Sequence, residues 1–197
     1  MTEAPTGSDD LSAWIGREET RRDLIDARTA HALAATLDYD AAGVFATGAL
    51  PPLWHWVYFT PSARRSELGP DGHPRRGGFL PPVALPNRMW AGGRFRFHQP
   101  LRIGDEATRV SRIVRCERKD GRSGPLVFVT VRHVISGPHG VALEEDHDIV
   151  YRQPAPRGGP PAGEAVAAAA EFRQTIHPDP VLLFRYSALT FNGHRIH

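Results

Sequence analysis

Apolar residues recur at helical spacing in one early segment of the chain and at two-residue spacing in several later ones. DLIDARTAHALAATLD (23–38) sets Leu24, Ala27, Ala30, His31, Ala34 and Leu37 near one face, with Asp26 where an N-cap belongs, and predicts a helix. GALPPLWHWVYFTP crowds Trp54, Trp56, Tyr58 and Phe59 behind Pro51 and Pro52, which predicts a short buried helix entered at one of the prolines. These rings are expected in the core. GPDGHPRRGGFLPP (69–82) is built of Gly and Pro and predicts a loop, long enough in a compact domain to suggest a role.

From Trp90 onward the period changes. RFRFHQPL alternates apolar and polar residues, RVSRIVRC does so less cleanly, LVFVTVRHVIS is almost entirely apolar and β-branched, and HDIVYRQ closes the set. KDGRSGP and SGPHG supply turns between them. Four strands joined by short turns make an antiparallel sheet, and a sheet with one dry face must cover it. The early apolar helices are the available cover, so the expected fold class is α+β, a sheet wrapped round a helix, over residues 1–153. PAPRGGPPAGEAVAAAAEF (154–172) lacks periodic large apolar residues and predicts a linker. Residues 173–197 then start like a short strand and turn at HPDP into a helix carrying Val181, Leu182, Leu183, Tyr186, Ser187 and Leu189. The expectation is a second unit that these residues open and cannot complete, with an apolar face lacking its partner.

Composition narrows the function. The 41% hydrophobic content of these 197 residues is ample for a core. Net charge is only +2, with arginines scattered among acids, which argues against a nucleic-acid partner. Cys116 is the sole cysteine, so no internal disulfide forms and no cysteine-rich metal site exists. The acidic start MTEAPTGSDDLSAW lacks the basic and apolar regions of a signal peptide, and no run approaches the roughly 20 apolar residues of a membrane span. The expectation is a cytoplasmic protein with no membrane contact. His177, His194 and His197 lack a carboxylate at ligand spacing, so no metal is expected. Ser187 and Ser123 lack the context of a nucleophile elbow.

The last residues carry more. FRYSALTFNGHRIH is similar to the hydratase motif of the MaoC-like (R)-specific enoyl-thioester hydratases and dehydratases. Together with LPPLWHWVYF, GPDGHPRRGGFLPP, MWAGGRFRFHQPL and GRSGPLVFVTVRH, it resembles the subgroup of 3-hydroxyacyl-thioester dehydratase type 2 and the mesaconyl-C4-CoA and itaconyl-CoA hydratases. The resemblance spans residues 10–197. It implies a hot-dog fold, here the first half of a double hot dog, with the catalytic motif in the second half. It also implies a substrate that is an acyl-CoA or acyl-carrier-protein thioester, fatty or short, branched and dicarboxylic, and a homo-oligomer or a complementing hot-dog chain. No cofactor is implied beyond the CoA or phosphopantetheine of the substrate.

Laid on that motif, Tyr186 takes an aromatic, substrate-contacting position, Thr190 the hydroxyl, Asn192 the acid and His197 the histidine. Hydrating a 2-enoyl thioester needs a water deprotonated for attack at C3, a proton delivered to C2, and stabilisation of the enolate-like oxygen. Histidine suits the water because its pKa lies near neutrality. Asn192 stands where the family has Asp; it accepts a hydrogen bond but takes no proton, so the proton work falls to His197 with Asn192 orienting. The family's oxyanion donor would lie beyond residue 197, so this chain by itself is expected to be inactive. Arg75 and Arg76 are candidates to clamp CoA phosphates, against a mobile loop, and Arg195 is a candidate substrate ligand, against a solvated default. The alternative activities are a hot-dog thioesterase, or a non-catalytic subunit that binds acyl thioesters.

Overall fold

The alternation along residues 94–153 is realised as the centre of a five-stranded antiparallel sheet in the computed structural model, which describes residues 11–121, 124–154 and 170–194. Strands β2 (Asn87–Phe97), β3 (Glu106–Gly121), β4 (Gly124–Gly137) and β5 (Gly140–Arg152) are the four expected. A fifth, β1 (Glu18–Leu24), was not expected, because EETRRDL has almost no apolar residue to mark it. It pairs along its whole length with β3, from Glu18 opposite Arg112 to Leu24 opposite Glu106. The sheet order is β1-β3-β4-β5-β2, so the long apolar β4 lies at the centre and the charged β1 and aromatic β2 form the edges.

β1 takes the first turn of the expected helix. Helix α1 runs Ala27–Thr36, with the Asp26 carboxylate accepting from the Thr29 amide at 2.8 Å. Its buried face is Ala30, Leu33 and Ala34; Leu24 lies in the strand and His31 is exposed, so the apolar stripe is rotated from the expected one. A single helical turn, α2 (Ala41–Val44), follows. The expected second helix is one 3₁₀ turn, Trp54–Val57, begun by Leu53 in the left-handed region rather than by a proline. The Tyr58 hydroxyl donates to the Asp26 carbonyl at 2.7 Å and fixes this turn to the start of α1.

One sheet face is dry. On it α1, Leu50, Val57, Tyr58 and Phe59 pack against Ala107, Ile135 and Leu143, while Val83 and Leu85 of the Gly/Pro-rich loop cover Ile113, Val127, Val129 and Tyr151. The other face is charged, with Arg94 pairing to Asp148 at 2.6 Å and Arg132 to Asp146 at 2.7 Å across strands. Helix α3 (Pro180–Leu189) is capped by Asp179 and lies against α1, with Tyr186 and Leu189 against the core. Val181, Phe184 and Phe191 remain exposed. Residues 173–179, expected to start as a strand, pair with none of the described strands; Pro178 and Pro180 remove donors that a ladder would need. Of the expected linker, residues 155–169 lie outside the described residues.

Asp26 serves both α1 and the aromatic turn. Asp26→Ala should lower the unfolding free energy by about 1 kcal/mol, the usual worth of an N-cap, measured by urea denaturation; a change below about 0.3 kcal/mol would mean that the cap adds nothing to the packing around it.

Candidate active site

Helix α3 ends so as to turn Asn192 back toward the sheet. The Asn192 amide donates to the Ser187 carbonyl at 2.8 Å and the Phe191 amide to Ala188 at 3.2 Å, the two bonds of a Schellman closure, with Phe191 at φ +51° where glycine is usual. The Asn192 Oδ1 accepts from the His194 amide at 3.1 Å. This turn is pressed against the Gly/Pro-rich loop. Gly72, at φ +87°, comes so near that a Cβ there would sit 1.9 Å from the Gly193 carbonyl oxygen. The loop thereby delivers His73, whose ring centroid is 5.0 Å from that of His194.

Asn192 and His194 stand between two cavities. One, of about 520 Å³, runs between the exposed side of α3 and the loop, with Arg65, Leu68, Phe184 and Phe191 in its wall. The other, of about 480 Å³, reaches the sheet at His147 and Ile149 and is edged by Trp90. Through Leu80, His147 and Ile149 this second space adjoins a third, of about 300 Å³, lined by Trp56, Phe59, Arg109, His133 and Thr190.

The floor of that third space was missed by sequence reasoning. A polar band crosses the dry face between the two apolar clusters: Ser111 lies opposite His133, and His133 opposite Glu145. Glu145, 3% exposed, meets His55 Nε2 at 3.0 Å and accepts from Trp56 Nε1 at 3.1 Å. Burial alone would raise its pKa, but the bonds from His55 and Trp56 and the nearby imidazoles hold it below the usual carboxylate value. His133 Nδ1 lies 2.8 Å from Ser111 Oγ, and burial, with Arg109 nearby, brings its pKa down to about 3. Burial lowers His147 as well. The available signal was the two-residue period of VALEEDHDIVY, which puts Glu145 and His147 on the face of Leu143, Ile149 and Tyr151.

The expected site residues are distributed unevenly. Asn192 is at the junction of the cavities. Tyr186 is turned to the core beside α1 rather than lining either cavity, and its burial raises its pKa. Arg76 donates to the carbonyls of Val83 and Pro86, both at 2.6 Å, and to that of Leu85, and stacks over Tyr151, which ties the loop to the sheet. Arg75 Nε reaches the Leu68 carbonyl at 3.4 Å. Neither arginine lines the cavities at Asn192; Arg65 does. Arg195 and His197 lie outside the described residues. Among the described residues no His, Cys, Asp and Glu side chains gather as a metal site, and no helix is long and apolar enough to cross a membrane.

The family model for hydroxyacyl-thioester dehydratase type 2 matches residues 53–197. The chain is also 52% identical over 191 residues to mesaconyl-C(4)-CoA hydratase of Chloroflexus aurantiacus, covering 96% of this chain and 68% of that protein. The chain belongs to the hydroxyacyl-thioester dehydratase type 2 family. A second relative, the mitochondrial hydroxyacyl-thioester dehydratase type 2 of Schizosaccharomyces pombe, is 26% identical over 172 residues, with 75% of this chain and 57% of that protein covered. Solved structures share the fold: HtdX of Mycobacterium tuberculosis at TM-score 0.57 and 19% identity over 92% of this chain and 64% of its own, and a MaoC-like dehydratase at 0.60 and 15% over 95% and 69%. The five-stranded sheet and α1 are thus a hot-dog fold of the MaoC-like kind.

Two outcomes follow from this geometry. Gly72→Ala places a methyl in the Gly193 carbonyl and strains a left-handed φ, so it should push the loop off the α3 turn; amide exchange at 190–194 should quicken at least tenfold, and unchanged exchange would mean the close approach is not needed. Acidification should destabilise the fold. His133 titrates near 6.5 when unfolded and about 3 when folded, so between these values the unfolded chain binds more protons and stability falls with falling pH. The slope from one such group is at most about 1.4 kcal/mol per pH unit, and Glu145 adds its own loss as pH drops through its lowered folded pKa. His133→Gln should flatten the Tm profile between about pH 6.5 and about pH 4; an unaltered profile would place the proton uptake elsewhere.

Proposed function

We propose that the protein is a hydro-lyase that adds water to a 2-enoyl-CoA thioester, or removes it from the 3-hydroxyacyl thioester, with Asn192 and His197 at the reacting end. The observation that carries this reading is the position of Asn192. The position that aligns with the family's motif acid, here Asn192, stands where α3, the loop and the sheet meet, at the junction of two cavities, in a chain 52% identical to a named hydratase. The relative acts on a mesaconyl thioester, and the acyl group proposed here is of the same short, branched, dicarboxylic class, with fatty acyl groups as the alternative.

In this mechanism His197 deprotonates the water that attacks C3, and the Asn192 carboxamide, which cannot take the proton, holds the water in line. The same histidine, now protonated, is suited to return a proton to C2. No electrons change hands, so the reaction calls for no redox cofactor. The same reading divides the chain into a first hot-dog unit, residues 1–153, a linker at 154–172, and the opening of a catalytic unit at 173–197. It assigns the exposed Val181, Phe184 and Phe191 to contact with a second such unit, in the same or another polypeptide. The anchoring of CoA phosphates falls to Arg65, Arg75 or Arg195; Arg76, spent on three carbonyls, is the poorest of the candidates.

The test uses the protein as its gene expresses it. Loss of enoyl absorbance without release of thiol is the expected result, and thiol release would make it a thioesterase. His197→Ala should lower kcat by about 10²–10⁴-fold, while Asn192→Asp should keep or raise it. An Ala variant within about threefold of the parent would identify another base.

A further inference from the structure

The third cavity holds a cation that the fold does not neutralise. Arg109 rises from the inner face of β3 into this space of about 300 Å³. Its Nη2 donates to the Phe59 carbonyl at 3.1 Å and the guanidinium lies 5.3 Å from the Phe59 ring. Its Nε is buried without an acceptor, and among the described residues no carboxylate comes within ion-pair distance of it. The acids on this face are engaged by other groups. Glu19 pairs with Arg21 at 3.3 Å, Asp23 accepts from the amides of Leu24 and Phe59 at 2.9 and 2.7 Å, and Glu145 belongs to His55 and Trp56. Burying a guanidinium without a counter-ion costs free energy unless something charged completes it. Burial presses on the charged form of Arg109, and the neutral His133 beside it adds no second cation.

The rest of the cavity says what that partner is attached to. Besides the Glu19–Arg21 ion pair, whose charges offset each other, its remaining wall carries Trp56, Phe59, Phe79, Leu80 and Ile149, and through Leu80, His147 and Ile149 it adjoins the space at Asn192. An anion reaching Arg109 by this route comes on a short carbon stem whose other end lies at the reacting residues. We infer that Arg109 is a specificity-determining residue, which binds a carboxylate at the end of the acyl group away from the thioester while water adds across C2=C3 near Asn192. The inference rests on the hydro-lyase reading for its reaction and on the cavity for its ligand. A fatty chain entering the same space would lay methylenes on Arg109 and His133 and strip them of water with nothing in return.

Fumaryl-CoA and crotonyl-CoA test it, since they have the same chain length and differ in a terminal carboxylate against a methyl. The parent protein, as its gene expresses it, should favour fumaryl-CoA at least tenfold in kcat/KM. Arg109→Met should cut that value about a hundredfold, chiefly through KM, as expected for a lost charge-assisted pair, and leave crotonyl-CoA within about threefold. A residue that only props up Phe59 would affect both thioesters alike, and that result overturns the proposal. Arg109→Lys, which keeps the charge without the planar fork, should fall between. The parent's own preference needs no variant, so equal use of the two thioesters overturns the proposal even if Arg109→Met does not fold. A separate titration with mesaconate, followed by tryptophan fluorescence with the diamide as uncharged control, distinguishes this inference from the reaction. Binding of mesaconate that Arg109→Met abolishes, without hydration of either thioester, keeps the carboxylate site and removes the hydratase reading. Hydration of both thioesters with no preference keeps the reaction and removes the site.

Discussion

The buried Glu145 carboxylate is the interaction on which the arrangement of this fold turns. At 3% exposure it cannot remain charged without partners; beyond His147 on its own strand, at 3.9 Å, it takes them from His55 and Trp56 of the 3₁₀ turn. That pins the turn over the middle of β5. Once it is pinned, Tyr58 reaches the Asp26 carbonyl and the start of α1, and the Phe59 amide reaches Asp23 on β1. Helix, edge strand and sheet centre are thus joined through six consecutive residues, 54–59. Two apolar clusters alone would also exclude water, but they would accept the turn in many positions; a single buried acid accepts it in few.

The same band of polar groups divides the dry face in two and leaves a cavity over the sheet. On one side α1 fills the sheet's concavity with Ala30, Leu33 and Ala34; on the other the loop at 79–85 does so. Between them neither helix nor loop covers the sheet fully, and the cavity over His133, Arg109 and His147 results. Burial keeps both imidazoles short of protons, so the band is polar without being crowded with positive charge. The outer face of the same strands, where Arg94 and Arg132 meet Asp146 and Asp148, keeps its charges in water and serves only to register neighbouring strands.

The candidate site depends on backbone rather than side-chain complementarity. Gly72 and Gly193 touch where no Cβ fits, and a Schellman turn with Phe191 in a glycine-like conformation sets the direction of Asn192. Tying that turn to the loop also explains the work of Arg76. Its three bonds to carbonyls at 83–86 hold the loop's far end on the sheet, so the near end at Gly72 and His73 stays against α3. An arginine pair beside glycines looks the same in sequence whether it holds phosphate or its own backbone.

Much of this was legible in the chain itself. Alternation in LVFVTVRHVIS and its neighbours marked four strands, Asp26 marked the start of α1, Gly and Pro marked the loop, and the closing motif with its flanking segments marked the family. These signals are local, because periodicity and capping are set by residues a few positions apart. Three features needed the tertiary structure. EETRRDL became a strand because β3 offered it an edge, whereas residues 173–179 found no such edge among the described strands. Glu145 and His133 became a buried polar band because register, set between distant segments, placed them opposite each other and under Trp56. And Gly72 meets Gly193 because the loop and α3 are each held by other contacts. The sequence by itself determined which side chains share a face; which faces meet, and therefore which polar groups lose water and must find partners, was decided by long-range pairing alone.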